Sequence, residues 1–131
     1  MTRETHLAYA AGFFDGEGCV RVSMPWKGRK PRLIIVASNT DETNIQFLVD
    51  TIGGTFRKNS SSKRPNMKPV HCWTAYGVEA AMILSQLLPY LINKKERAEL
   101  GIECVTTTSN ERRLEIAKEM QKLNKKGVDT E

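Results

Sequence analysis

Two acidic residues alternate with glycines where an apolar helical segment ends. Gly16 separates Asp15 from Glu17, Gly18 follows, and residues 4–14 before them are compatible with a helix. Glycine adopts backbone conformations that end a helix and start a strand, so a carboxylate is expected at a fixed point on the helix end. Carboxylate oxygens are preferred ligands of hard divalent cations. The pattern therefore favours a metal site, although a lone acidic, glycine-rich turn is weak support because such turns are common.

Small residues line one face of the same helix. Ala8, Gly12 and Gly16 follow one another at intervals of four, so they lie along one side. Small side chains let the backbone of another helix approach closely. A separate apolar line suits the chain's own core: Leu7, Ala11 and Phe14. The helix is therefore expected both to pack inwards and to offer a contact surface for a second helix.

Hydrophobic periodicity predicts the element order α-β-β-α-β-β-α-α-α. The expected helices are residues 4–14, 42–51, 78–88, 94–106 and 110–123, and the expected strands are 19–24, 32–37, 55–59 and 70–76. Two hairpins, each preceded by a helix, predict an α+β fold in which helices cover one face of an antiparallel four-stranded sheet. Residues 1–131 are expected to form one domain with a C-terminal helical extension at about 108–126.

Residues 10–18, with the sequence AAGFFDGEG, resemble the signature of the LAGLIDADG homing endonucleases. Gly12, Asp15 and Gly18 match outright, whereas Ala10 replaces the usual leucine and Glu17 replaces the second aspartate. The resemblance continues through SNTD at 38–41 and LLPYLINKK at 87–95, and it covers roughly residues 7–105. It implies an αββαββα core with a saddle-like sheet, and a site-specific endonuclease that cuts double-stranded DNA.

The resemblance also implies a metal site. By position, Glu17 and the carbonyl of Gly16 are expected to bind Mg²⁺, which Mn²⁺ or Ca²⁺ can replace in binding. Asp15 is expected to cap or orient the helix end in preference to binding the metal directly. Hydrolysis of a phosphodiester needs charge compensation on the phosphate and an activated water, and bound Mg²⁺ can supply both.

Two further catalytic residues follow from position in the family pattern. Lys94 matches the basic residue near the scissile phosphate, with Lys95 as the competing choice. Asn39 matches the polar residue that helps to hold water, with Ser38 as the alternative. Either lysine could instead be an ordinary exposed residue at a helix start.

The chain has a single copy of the motif and a length that fits one repeat. A homodimer packed through Ala8, Gly12 and Gly16 would place two Glu17 carboxylates beside one DNA, one for each strand. The two-fold symmetry of such a dimer predicts a long, near-palindromic target.

Basic residues crowd two segments that are expected to be loops between strands, in a chain of net charge +5. These candidate DNA-binding residues are Lys27, Arg29, Lys30 and Arg32 in the first segment, and Arg57, Lys63, Arg64 and Lys68 in the second. Alternation along the strands adds Arg21, Ser23 and Asn59, which are expected on the uncovered face of the sheet. His71 and Trp73 share one face of their strand, and either a base-contacting or a buried Trp73 fits the pattern. The alternative interpretation of both basic segments is two solvated loops.

The three cysteines are odd in number and lack metal spacing, so neither a disulfide framework nor a zinc site is indicated. The absence of a leader-like or membrane-length apolar run predicts a soluble, intracellular protein with no membrane partner, and the compartment stays open between bacterial or phage-infected cytoplasm and an organelle. Two other functions fit the pattern: an RNA maturase that binds intron RNA, and a DNA-binding regulator without cleavage. A basic α+β structural protein would require both motif segments to be coincidental.

Overall fold

Helix α1 runs from Arg3 to Glu17 in the computed structural model, which describes residues 2–24, 28–59 and 69–129. Thr2 caps its start by accepting a hydrogen bond from the backbone N–H of Thr5. The remaining elements are β1 (Gly18–Val22), β2 (Leu33–Asn39), α2 (Glu42–Ile52), β3 (Thr55–Asn59), β4 (Val70–Tyr76), α3 (Gly77–Leu87), a short 3₁₀ turn (Leu88–Tyr90), α4 (Lys95–Thr106) and α5 (Asn110–Asp129). This order confirms the predicted α+β succession.

The four strands form one antiparallel sheet in the order β1-β2-β4-β3. Alternate residues point to the helices, and they make up the core face of the sheet: Val20, Val22, Leu33, Ile35, Ala37, His71, Trp73 and Ala75. The other face carries no helix-packed core residue within the described strands, and it is called the open face below. The sheet therefore has one buried and one accessible side, as the sequence predicted.

Trp73 anchors the centre of the core. Its ring meets Phe14 edge-on at 6.1 Å, and its Nε1 donates a 2.7 Å hydrogen bond to the carbonyl of Gly53. Gly54 has φ +87°, and a Cβ there would collide with the Trp73 ring. The glycine pair after α2 thus both ends the helix and leaves room for the indole.

Helix α5 packs beside the edge strand β1. Its buried face comprises Ile116, Ala117 and Met120, and the amide of Asn124 donates a 3.0 Å hydrogen bond to the carbonyl of Val20. The helix thereby covers part of the exposed edge of the sheet. None of the helices in residues 2–24, 28–59 and 69–129 is both long and apolar enough to span a membrane.

Candidate active site and nucleic-acid interface

The Asp15 carboxylate binds the segment just before a helix that lies far away in the sequence. Its oxygens accept hydrogen bonds from the backbone N–H groups of Ile92, Asn93 and Lys94, at 2.7, 3.1 and 2.9 Å. These donors precede α4, so Asp15 joins the end of α1 to the start of α4. Burial opposes ionisation of Asp15, but the three donors and the Lys94 ammonium hold the pKa of the carboxyl below its ordinary value.

Lys94 is turned into the protein at this junction. Lys94 as a whole is only 9% exposed, and its ammonium group donates a 2.5 Å hydrogen bond to the backbone carbonyl of Asp15. Burial lowers the pKa of Lys94, with repulsion from Arg97 acting in the same direction, while the negative charges of Asp15 and Glu17 oppose that shift. A cation is thus held at the end of α1, within electrostatic reach of Glu17.

Glu17 is the last residue of α1, and its side chain is exposed. The last four carbonyls of an α-helix lack partners within the helix. In α1, the N–H of Gly18 bonds to Phe14 and the ammonium of Lys94 bonds to Asp15, whereas Gly16 is exposed. Gly16 and Glu17 therefore place a backbone carbonyl and a carboxylate, both hard oxygen ligands, next to each other at the surface.

One chain offers only part of a metal cage. Within the described part of the chain, no group of three or more His, Cys, Asp or Glu side chains could hold a metal ion. The Asp15 carboxylate is occupied by three backbone donors, so Glu17 is the acid of this pair that stays accessible. The donor set fits Mg²⁺, which keeps several waters and commonly uses one or two carboxylates together with substrate phosphates.

Asn39 ends β2, and its side chain serves the start of α2. Its Oδ1 accepts a 2.8 Å hydrogen bond from the backbone N–H of Asp41 and a 3.4 Å hydrogen bond from the side chain of Asn44. The neighbouring Ser38 is exposed on the open face. Because Gly18 pairs with Ala37, Ser38 and Glu17 are the next residues at that end of the β1–β2 pair. Of the two polar candidates, Ser38 has the more open position, and the water-holding role of Asn39 stays a prediction.

The arginines on the strands border the open face. Arg21 and Arg57 are exposed on the edge strands β1 and β3, and the guanidinium of Arg32 lies 4.4 Å from the centre of the Tyr76 ring. Arg29 and Lys30 are exposed after β1. Ser23 is half-buried, and its hydroxyl accepts a 3.0 Å hydrogen bond from the backbone N–H of Arg32, so it serves the hairpin.

Two candidate DNA-binding residues are placed on the wrong side of the sheet for that role. Trp73 is fully buried and His71 is 6% exposed, and both face the helices. The ring of His71 packs against Phe56 at 5.7 Å. Register explains the correction: Trp73 is paired with Ala37 of β2, which lies on the helix-covered face, so Trp73 and His71 two residues before it share that face. Four other candidates lie outside the described residues: Lys27, Lys63, Arg64 and Lys68. For Asn59 the structure describes only the backbone position, at the end of β3.

The small-residue face of α1 is accessible. Ala8, Gly12 and Gly16 are all exposed, and a Cβ added at Gly12 or Gly16 would meet nothing within 4 Å. Beside them Tyr9 is 57% exposed and lies edge-on to Phe47, with 5.0 Å between the ring centres. The helix thus presents a close-approach surface with aromatic residues along its border.

Sequence reasoning missed the segment that positions Lys94. Ile92 and Asn93 contribute through backbone N–H groups, which carry no residue-specific signal. The helix was expected to end at Phe14 with Asp15 orienting that end, so the sequence did not indicate that the Asp15 carboxylate binds backbone groups of residues 92–94. The sequence did not predict the burial of Lys94, because Lys94 and Lys95 are adjacent and either could be the exposed lysine at the start of α4.

Comparison with solved structures identifies the architecture as the LAGLIDADG fold. The homing endonuclease I-CvuI, solved in complex with its target in the presence of calcium, matches with a TM-score of 0.76 and 20% identity, over 92% of this chain and 83% of that chain. The archaeal intron-encoded homing endonuclease I-Vdi141I, complexed with DNA, matches with a TM-score of 0.74 and 15% identity, over 93% of this chain and 86% of that chain. The group I intron-encoded homing endonuclease I-CeuI, also complexed with DNA, matches with a TM-score of 0.65 and 15% identity, over 88% of this chain and 66% of that chain.

These likenesses confirm the fold that the signature at residues 10–18 implied. No protein-family model matches the chain, and no curated protein matches it either. With identities of 15–20%, the matched structures establish a shared architecture.

Proposed function

We propose that the protein is a site-specific endonuclease that hydrolyses phosphodiester bonds in both strands of DNA, using a divalent metal and acting as a homodimer. One observation carries the proposal: an accessible Glu17 carboxylate stands at the end of α1, beside an ammonium group that Asp15 holds in place. This arrangement puts a metal ligand and a cation at the edge of an open, arginine-bordered sheet. The solved structures with the same fold include homing endonucleases in complex with DNA.

Glu17 and the carbonyl of Gly16 are the residues that would hold the cation. When bound, a divalent metal compensates charge on the scissile phosphate and lowers the pKa of a bound water. The three backbone N–H donors bind Asp15 and not Glu17, so they leave the Glu17 carboxylate available to a metal ion. Its place as the last residue of α1 fixes the backbone from which that carboxylate extends.

Lys94 supplies positive charge beside the phosphate. A cation preorganised where negative charge develops stabilises a transition state without reorganising during the reaction. The hydrogen bond to the Asp15 carbonyl and the burial of the side chain restrict the ammonium to one location. Asp15 therefore acts as a positioning residue for Lys94 through both its carboxylate and its carbonyl.

A second copy of the chain completes the site. Of the two acids at the end of α1, each chain leaves Glu17 accessible, and a pair of α1 helices packed through Ala8, Gly12 and Gly16 would bring two Glu17 carboxylates together. The open space around the Cα of Gly12 supports close helix packing at this point. Two-fold symmetry gives one Glu17 for each DNA strand and favours a near-palindromic target.

Cleavage of a randomised double-stranded DNA library in Mg²⁺ tests the proposal. Wild type should yield double-strand cuts at a preferred sequence, and Glu17→Gln should yield none while binding the selected site within a small factor of wild type. Glu99→Gln, on the exposed surface of α4, is the matched control and should cut like wild type. Selective binding without cuts in either protein would instead favour the regulator or the maturase.

Dimerisation has its own test. Gly12→Leu should yield monomers by analytical ultracentrifugation, because a bulky side chain would block the approach of a second α1 while meeting nothing in its own chain within 4 Å of the new Cβ. Lys118→Leu, on the exposed side of α5, adds the same side chain elsewhere and should leave the dimer intact. A monomeric wild type would contradict the pairing of α1 helices.

A further inference from the structure

The open face has a row of four short side chains across its middle. Cys19 on β1 pairs with Val36 on β2, Val36 with Thr74 on β4, and Thr74 with Thr55 on β3. These residues, called the middle row below, include no charged and no long polar side chain. Val36 is half-buried and Thr74 is only 9% exposed, so the neighbouring side chains leave Val36 as the more accessible of the two central residues.

The rows on either side differ, because each has an arginine on an edge strand. Arg21 is paired with Ile34 on one side of the middle row, and Arg57 is paired with Cys72 on the other. The arginines of the described strands therefore lie at the border of the open face, on the edge strands. The central strands β2 and β4 present mainly apolar groups between these two edges. Such a surface attracts a polyanion at its rim and offers van der Waals contact at its centre.

Base pairs facing the middle row cannot be recognised by bidentate hydrogen bonds. In the major groove, guanine is typically recognised by arginine or lysine and adenine by asparagine or glutamine, and none of these types occurs in the row. The threonine hydroxyls can form single hydrogen bonds with more than one base, whereas a purely aliphatic side chain can detect only the C5-methyl group of thymine. Val36, at the centre of β2, presents two methyl groups for such a contact.

We propose that the middle row recognises thymine methyl groups, with Val36 as the specificity-determining residue. The inference rests on the proposed function, since it requires DNA to lie on the open face. It narrows the substrate to duplexes with A·T pairs at the positions facing the row. It also disfavours RNA, because uracil has no methyl group at C5.

Thymine-to-uracil scanning of the preferred target tests the inference. Each thymine of the selected duplex is replaced in turn by deoxyuridine, and affinity is measured by competition at constant salt in Ca²⁺. For wild type, at least one replacement in each half-site should weaken binding about fourfold, the effect expected for losing one buried methyl group. In Val36→Ala, the same replacement should have no further effect, because the protein partner of that methyl is already gone.

Val78→Ala is the control for nonspecific change. Val78 is 65% exposed on α3, on the covered side of the sheet, so this variant should keep the uracil effect of wild type. If the uracil effect persists unchanged in Val36→Ala, or if no thymine is sensitive, the methyl contact is overturned while the DNA-binding function stands. Failure of wild type to select any DNA sequence would overturn both.

Discussion

Asp15→Asn removes the charge that joins α1 to α4 while keeping the shape of the side chain. One oxygen of Asp15 accepts from Ile92 and Asn93, and the other accepts from Lys94. Asparagine has one amide oxygen, so it can keep the donors on one side but turns an N–H₂ group towards those on the other. A hydrogen bond to a charged acceptor contributes about 1.5–3 kcal/mol, so we expect the free energy of unfolding to fall by about 2–3 kcal/mol.

Urea unfolding at pH 7 measures this loss, with Asp50→Asn as the matched control. Asp50 is exposed on α2 and accepts a 2.9 Å hydrogen bond from Gln46, so the same substitution there should cost less than about 0.5 kcal/mol. Equal losses in the two variants would refute the role of Asp15 as an anchor between helices.

The pH dependence supplies an independent check. The folded-state pKa of Asp15 lies below 3.8, its ordinary value, so its stabilisation is present above that value and is lost as the pH falls through the folded pKa. The difference in unfolding free energy between wild type and Asp15→Asn should be constant above about pH 5 and should shrink under more acid conditions. A difference that grows on acidification would contradict a stabilising carboxylate.

Three other substitutions test the fold and the interface. Arg113→Met should destabilise the protein more than Arg112→Met in thermal unfolding, because Arg113 donates to carbonyls at the end of α4 while Arg112 pairs with an exposed carboxylate; equal losses would contradict this capping role. Gly54→Ala should lower the melting temperature more than Gly53→Ala, since only at Gly54 would the Cβ strike the buried indole, and the reverse order would be inconsistent with the packing. Arg57→Ala should weaken DNA binding and lower the slope of log affinity against log salt by about one for each chain; an unchanged slope would place the phosphates elsewhere.

The elements were accessible from the sequence because their signals are local. Alternation and turn residues gave β3 as 55–59 and β4 as 70–76, the bounds that the structure has. The glycine pair at 53–54 ended α2 within one residue of the expected position. The antiparallel sheet with one helix-covered face followed from two hairpins that each succeed a helix, a general packing argument independent of particular contacts. The strand order β1-β2-β4-β3 came only from the structure.

The errors arose where distant parts of the chain meet. Helix α1 was expected to end near Phe14 but continues to Glu17, and in this added turn Asp15 bonds to backbone groups 77–79 positions away. Strand alternation grouped His71 with Trp73 correctly but could not decide which face the pair takes. That choice depends on the neighbours of β4 in the sheet, which no local pattern contains.

Mixed dimers provide the most direct test of the claim that each chain supplies Glu17 for one strand. Wild type and Glu17→Gln, distinguished by affinity tags, are co-expressed, purified as the heterodimer and incubated in Mg²⁺ with a supercoiled plasmid that carries the selected target. We expect wild-type dimers to linearise the plasmid, the heterodimer to nick it in one strand, and Glu17→Gln dimers to leave it intact. Linearisation by the heterodimer at the wild-type rate would contradict the assignment of one Glu17 to each strand. Absence of cleavage by wild type would contradict the endonuclease activity itself.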